Sequence, residues 1–321
     1  MKYYFIINPV AGKENVTAER TPEIYRAAKA CGIPEEDVTI WVTEYRGHAV
    51  ELAQKAAQTG ESVYLYAVGG DGTFNEVVRG AMDYPNAAVG LLPYGSGNDF
   101  LRNFGTKEEF RDVKAQLQGS PISIDLMETN RGYAAELCSA GLDAKVAYGI
   151  PKFRRLPFCH SEMAYKLSIV QCLMGKRNSE LFIDIDGKTI QRDCLMVAVC
   201  NGCSYGGGFM AAPESRLDDG VLDVMVVRNL PLLKIAKALP LYQSGRHFKN
   251  GAIIPELRDV VEYFPAHQVS IRTCDPADKV VINVDGECEE NDFLSAKVVP
   301  LAARIVLPDH VFDRYQVTVN S

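Results

Sequence analysis

The sequence predicts an α/β N-terminal domain built on a parallel sheet, followed by a mainly antiparallel β C-terminal domain. Three observations carry this expectation. Strand-like and helix-like patterns alternate through the first third of the chain, as they do when parallel strands are joined by crossover helices. Beyond about Ile124, short β-runs follow one another, separated by pairs suited to tight turns: Asp186-Gly187, Asp219-Gly220 and Asp285-Gly286. The 321 residues also exceed what one small core organises.

Residues 3–7, 38–42, 63–68 and 88–92 read as four strands, with helices near 22–30, 48–58 and 74–82. Ligands of such sheets gather at the carboxyl ends of the strands. Candidates stand at all four ends. They are Asn8, Pro9, Val10, Ala11 and Gly12 after the first, Thr43 after the second, Gly69-Gly70-Asp71-Gly72-Thr73 after the third, and Pro93-Tyr94-Gly95-Ser96-Gly97-Asn98-Asp99 after the fourth. In the second domain, strands are expected over 133–138, 181–185, 194–200, 222–227, 268–273 and 280–284. Helical insertions over 161–175 and 232–242 pack on or line that sheet, the second opened by Pro231. A late β-run, 303–307, is assigned to neither domain by pattern.

Composition excludes several classes. With 47% hydrophobic and 23% charged residues the chain is of the folded globular type, and no segment reaches the ~20 apolar residues of a membrane span. Residues 1–7 meet Asn8-Pro9 before an apolar signal region forms, so export is not expected. Nine cysteines, an odd set within mostly apolar segments, fit a reducing cytoplasm. Cys200 and Cys203 have the spacing of a zinc or redox pair but lack a second pair, which favours ordinary thiols at a strand end. A net charge of −7 disfavours nucleic-acid binding.

The turn at residues 69–73 carries the most chemistry. A buried strand stops, glycines let the backbone turn, and a helix begins with its N–H groups facing the turn, which suits a phosphate. Asp71 can organise Mg²⁺ directly or through water, Thr73 offers a hydroxyl, and Phe74 and Asn75 continue the motif.

Taken in order, these motifs resemble the diacylglycerol kinase catalytic-domain family in its bacterial form, with sphingosine and ceramide kinase relatives. The matches are Asn8 through Gly12, Gly69 through Thr73 with Asn75-Glu76, and Pro93 through Phe100. Further matches are Gly141-Leu142-Asp143 with Val146, Gly206-Gly207-Gly208 with Pro213, Leu217 through Asp223, and Asp285-Gly286-Glu287. The glycine turn alone is shared with NAD kinases and phosphofructokinases; the ordered set is far more specific.

The resemblance implies a nucleotide-binding domain over residues 1–125, a lipid-substrate domain over 126–302, and a tail, 303–321, that returns to the first. It implies ATP on Asn8, Pro9, Val10, Ala11, Gly12, Thr43, Gly69, Gly70, Asp71, Gly72, Thr73, Phe74, Asn75 and Ser96. Glu287 would be the catalytic base beside Asp71, and a structural Mg²⁺ would take the Asp219 carboxylate with the main-chain carbonyls of Arg216 and Val221. The acceptor would be diacylglycerol or a related lipid alcohol, met during transient peripheral contact with a membrane, and a homodimer is compatible with the family. Ser96 stands where the family usually has threonine, Gly97 loosens a turn that often carries a side chain, and Leu101 replaces a small residue.

Plainer readings stand beside these. Glu287 could sit in a solvated acidic hairpin, Asp71 could cap a helix, Asp219 could open a turn, and Thr43 and Ser96 could be turn hydroxyls. Leu167, Ile169, Val170, Leu173 and Met174 could wall a lipid groove, but core is the safer reading. Lys152, Arg154, Arg155, Lys166, Lys176 and Arg177 could meet anionic headgroups or form a solvated face, and Lys13 reads as exposed. His48, His160, His247, His267 and His310 read as structural or surface residues. Rival functions are an NAD kinase and a non-catalytic nucleotide-binding regulator.

Overall fold

A computed structural model of the chain describes residues 1–12, 16–95, 97–156 and 161–319. The chain forms two compact units, Met1–Asp125 with Pro300–Ser321, and Leu126–Val299.

In the first unit, β1 (Lys2–Ile7), α1 (Val16–Ala30), β2 (Val38–Val42), α2 (His48–Ala57), β3 (Val63–Gly69), α3 (Asp71–Ala81) and β4 (Ala87–Pro93) alternate as expected. Short helices α4 (Lys107–Arg111) and α5 (Val113–Leu117) lead into β5 (Ser120–Thr129). The strands run parallel: β1 lies between β2 and β3, with Phe5 opposite Ile40 and Tyr66, and β4 follows β3. Parallel strands covered on both faces read as continuous apolar runs, and β4 is buried along its whole length. Tyr66 stacks on Phe5 at 4.7 Å and donates its hydroxyl to the Gln116 carbonyl.

One boundary differs from expectation. Helix α1 starts at Val16 and passes through Pro22. Pro22 and Ala18 are both exposed, so the carbonyl left without its amide partner can be hydrated. In α2, Gly47 precedes the first turn with φ 88°, and the Glu76 carboxylate reaches over from α3 to accept from the amides of Gly47 (2.9 Å) and Ala49 (3.3 Å). Glu76 thus caps a neighbouring helix.

The second unit comprises β6 (Gly132–Ala134), β7 (Leu137–Gly141), α6 (Leu142–Arg154), α7 (Ser161–Met174), β8 (Ser179–Ile185), β9 (Lys188–Cys200), β10 (Leu222–Arg228) and α8 (Leu232–Gln243). It continues with β11 (Phe248–Lys249), β12 (Ala252–Ile253), β13 (Val261–Ala266), β14 (Gln268–Thr273), β15 (Val280–Val284) and β16 (Glu287–Asn291). Strand β17 (Phe293–Leu307) begins here, pairing antiparallel with β14; beyond Pro300 it belongs to the first unit, where Ile305 lies opposite Val89, and α9 (Asp309–Val319) follows. Pairing within the second unit is antiparallel, in the order β16, β15, β7, β9, β8, β14, with β10 and β13 branching from β9. Leu181, Ile183 and Ile185, Leu222, Val224 and Val226, and Val280, Ile282 and Val284 share one core, the period of two that strands impose. The opposite face of β9 and β10, with Met196, Ala198 and Met225, packs with Ile235 and Tyr242 of α8.

Helix α7 corrects the reading of Leu167, Val170 and Met174 as core. Met163, Leu167, Val170 and Met174 form an outward stripe, with Val170 54% and Met174 84% exposed, while Leu173 packs inward. Ser168 donates to the Val146 carbonyl at 2.6 Å, and Gly149 has no side chain to obstruct it, which fixes the inner face of α7 on α6.

Glu262 lies between Arg192 (2.8 Å) and Arg228 (2.7 Å), which hold its carboxyl down at about 2. A depressed folded pKa adds stability above the unfolded value near 4.5, and that stability is lost as pH falls toward 2. Urea unfolding at pH 6 and pH 3 should therefore show a smaller acid-induced loss in Glu262→Gln than in the wild type.

Candidate functional site

The third and fourth strands of the first unit end side by side. Gly70 precedes α3, and Asp71 is the first helical residue, so Asp71 is not the N-cap. Its carboxylate turns away from its own helix. Oδ2 accepts from the Asn98 amide at 2.6 Å, and the amides of Phe100 and Asp99 also favour its ionised form. Burial, then the charge of Asp99, pushes the Asp71 carboxyl upward against those amides. Asn98, fully buried with φ 57°, donates Nδ2 to the Gly69 carbonyl at 3.2 Å. Asn98 thus stitches the loop after β4 to the turn after β3 through both its amide and its side chain.

Gly97 is where the sequence reading needs correction. A Cβ there would stand 2.7 Å from Asp71 Oδ2 and 3.6 Å from Asp99 Oδ2. The residue does not loosen the turn; its bare backbone is what lets the loop close on Asp71. Both carboxylates thus lie beside the Gly97 backbone, and the charge of Asp99 acts on Asp71. Asp99 stands among the strand-end candidates of the sequence, which assigns it no role in ATP or metal binding. Lys107, whose ammonium is pushed down by burial and up by Asp71 and Asp99, lies 3.4 Å from the Gly95 carbonyl.

Asn8 joins this group. Its Nδ2 donates to Thr73 Oγ1 at 3.1 Å and its Oδ1 accepts from the Val10 amide at 3.1 Å, which holds the loop after β1 to the first turn of α3. Val10 is exposed, Ala11 buried, and Gly12 takes φ 87° against the Tyr94 carbonyl. The Thr73 hydroxyl occupies the space a side chain at Gly69 would need, and Gly70 packs on the Gly95 backbone. Thr43 continues the ladder, its amide on the Ile7 carbonyl. Pro9 follows Asn8 in that first loop, Gly72 is exposed in the first turn of α3, and Asn75 follows on the same helix. Phe74 is a correction: its side chain is 2% exposed and lies on Phe100 at 4.3 Å, and its amide is used by the Gly70 carbonyl, so it packs the core. Ser96, Lys13 and His160 lie outside the described residues.

In the second unit, Asp285 and Gly286 form the turn between β15 and β16 with φ of 44° and 90°, the two positive values of a type I′ hairpin. The Asp285 carboxylate accepts from the amides of Ala135 (2.6 Å), Glu136 (3.2 Å) and Leu137 (2.8 Å), where the expected single strand over 133–138 is broken in two. Glu287 opens β16 opposite Val284 and is exposed. The acidic segment is therefore a paired strand, and its turn is anchored rather than loose. The Gly202 and Ser204 loop packs on Glu136, and Cys200 and Cys203 are buried.

Asp219 is exposed, and its Oδ1 accepts from the Val221 amide at 3.0 Å. Arg216 pairs with Asp218 at 3.2 Å. The charges of Asp223, Asp219 and Glu214 all act on Tyr263, so the loop sits in a negative field. One carboxylate with main-chain carbonyls is a donor set that suits a hard divalent cation. The same holds for the Asp71–Asp99 pair, whose mutual repulsion a cation would relieve. Among the described residues no three metal-ligating side chains cluster. That is the usual situation for Mg²⁺, which takes one or two carboxylates and completes its shell with water and phosphate. Among the described residues no helix is long and apolar enough to cross a membrane.

Comparison with known proteins agrees with this architecture. The profile described as diacylglycerol kinase catalytic domain matches residues 2–129, and that described as YegS C-terminal NAD kinase beta sandwich-like domain matches residues 136–307. The diacylglycerol kinase of Bacillus subtilis (strain 168) is 28% identical over 285 residues, 88% of each chain. The probable lipid kinase YegS-like of Chromohalobacter salexigens is 29% identical over 307 residues, 92% of each chain. A crystal structure of a diacylglycerol kinase from Bacillus anthracis str. Sterne shares the fold at TM-score 0.68, with 18% identity over 97% of this chain and 98% of that one. A second structure from the same organism aligns at TM-score 0.74, with 21% identity over 97% of each. With one profile on each unit, the chain belongs to the diacylglycerol kinase catalytic-domain family, a family of lipid kinases, in the form that carries the YegS-type C-terminal domain.

Proposed function

We propose that this protein transfers the γ-phosphate of ATP to the hydroxyl of diacylglycerol or a closely related lipid alcohol, with Mg²⁺. The observation that carries this reading is the buried Asp71 carboxylate, held by the Asn98 amide on the glycine turn that opens helix α3, with Asp99 near enough for its charge to act on it. Phosphoryl transfer needs alignment and charge neutralisation more than covalent chemistry. Amides of the turn at residues 69–73 and the first turn of α3 would bind phosphate oxygens, with Asn8 and Thr73 holding the adjoining loop. Asp71 and Asp99 would hold Mg²⁺, which supplies neutralisation of the charge on the transferred group; the loop with Arg216, Asp219 and Val221 would hold a structural one. Lys107 adds a cation near both acids. Glu287, on a strand whose turn is pinned by Asp285, would accept the proton of the attacking hydroxyl.

Radiolabelled ATP offered with diacylglycerol, a sphingoid alcohol and NAD tests the assignment. Label is expected in a lipid; label in NAD alone would overturn it, and label in none would leave a nucleotide-binding regulator. Glu287→Gln should lower turnover at least about a hundredfold while ATP binding persists.

The outward stripe of α7 supports the membrane half of the reading. Met163, Leu167, Val170 and Met174 are exposed on one helical face, with exposed Lys166 and Lys176 on the same segment and Lys152, Arg154 and Arg155 at the end of α6. Apolar side chains framed by cations on an otherwise acidic protein suit an anionic bilayer. Sedimentation with phosphatidylglycerol vesicles should fall several-fold in Leu167→Glu/Val170→Glu and weaken with salt. Unchanged sedimentation would remove α7 from the docking surface.

A further inference from the structure

Helix α4 holds the loop after β4 through two cations. Arg111 Nε lies 3.4 Å from the Pro93 carbonyl, and Lys107 Nζ lies 3.4 Å from that of Gly95. The Gly95 amide in turn donates to the Gly69 carbonyl at 3.1 Å, and the backbones of Gly95 and Gly70 touch. The half-buried Lys107 therefore brings its ammonium beside the turn at residues 69–73, near enough for the charges of Asp71 and Asp99 to act on it.

A triphosphate needs more than that turn supplies. It stays net negative after one Mg²⁺ binds, and the amides of the turn carry no full charge, so charge leaving water beside two carboxylates calls for a further cation. A lysine meets this need as a compact point charge on a flexible stem. A carbonyl 3.4 Å away, beyond the usual hydrogen-bond length, is a weak holder for an ammonium; a phosphate oxygen in the turn would be a stronger one.

The place of α4 is set by the C-terminal helix. Glu109 Oε2 accepts from the Thr106 amide (2.7 Å) and hydroxyl (3.0 Å), while its Oε1 accepts from Arg314 of α9 at 2.8 Å. The second terminal nitrogen of Arg314 donates to the Phe104 carbonyl at 2.8 Å, and Gly105 has no side chain to part Arg314 from Glu109. Arg314, then the Thr106 amide, holds the Glu109 carboxyl down at about 2, so the pair is charged throughout the neutral range. Aromatic rings continue the tie: Tyr315 lies 5.7 Å from Phe104, Phe104 5.6 Å from Phe100, and Phe100 packs on Phe74 of α3. Residues 104–109, Lys107 among them, are thus fixed between α9 and α3.

We propose that Lys107 binds the terminal phosphates of ATP, and that Arg314, through Glu109 and the Phe104 carbonyl, is the residue that positions it. This rests on the nucleotide half of the reading above and gives Lys107 a direct contact with the phosphoryl donor.

Calorimetry of the full chain with ATP, ADP and AMP, each with Mg²⁺ and without lipid, tests this. Lys107→Ala should weaken ATP binding about tenfold or more, ADP binding by less and AMP binding hardly at all, the loss of a charge-assisted bond at the end of the phosphate chain. Lys107→Arg should recover part of the ATP affinity. Arg314→Ala should repeat the graded pattern at smaller size, and Arg314→Lys, which keeps a cation for Glu109, should lie between it and the wild type. Wild-type ATP affinity in Lys107→Ala, or an equal loss for the three nucleotides, would overturn the phosphate contact. The same results in Arg314→Ala would overturn the positioning role. A graded pattern in a protein that labels no lipid would uphold the contact and overturn the lipid kinase reading; a wild type that binds no adenine nucleotide would overturn both.

Discussion

The bond from the Asn98 amide to the Asp71 carboxylate, 2.6 Å long, is the constraint on which the first unit's functional end depends. It ties the turn after β3 to the loop after β4, and the glycines around it are consequences. Gly70 and Gly95 let two backbones touch, and Gly97 leaves room for the carboxylate itself. Removing Asp71 from water disfavours its charge, and the amides of residues 98–100 oppose that penalty. The result is a negative group fixed by the backbone, with a second carboxylate near it, where a cation and a phosphate can complete the arrangement.

The second unit repeats the device. Asp285 accepts from three consecutive amides, and Asp186 accepts from the amides of His267 and Gln268. Glu214 does the same for Asn250 and Gly251. In each case a carboxylate satisfies backbone donors that a turn would otherwise leave unpaired, and hydrogen bonds to a charged acceptor are the stronger kind. For Asp285 the effect is positional. The hairpin cannot swing without breaking those contacts, so Glu287 is presented from a fixed strand end.

Local chemistry was legible in the sequence, and long-range partnership was not. The alternation of strands and helices, the Asp-Gly hairpins and the strand-end motifs all rest on spacing and residue type, and the α/β and antiparallel β architectures follow from them. Nothing in the spacing of Asp71 foretells that its partners lie 27 residues onward, or that Asp285 reaches back some 150 residues to the loop at Ala135. Glu76 shows the same limit: it reads as part of a phosphate motif and serves as the cap of α2. Hydrophobicity alone does not say which face of α7 meets the core, so Leu167, Val170 and Met174 turn outward while Leu173 packs inward as expected; the bond from Ser168 to Val146 marks the inner face. Phe74 was carried along by its place in a motif although its ring belongs to the interior.

Calorimetric titration of the full-length Asp71→Ala variant with ATP and Mg²⁺ tests most directly whether this pinned carboxylate organises the nucleotide site. Affinity at least about tenfold weaker than that of the wild type is expected. A folded Asp71→Ala protein that binds ATP and Mg²⁺ with wild-type affinity would contradict it.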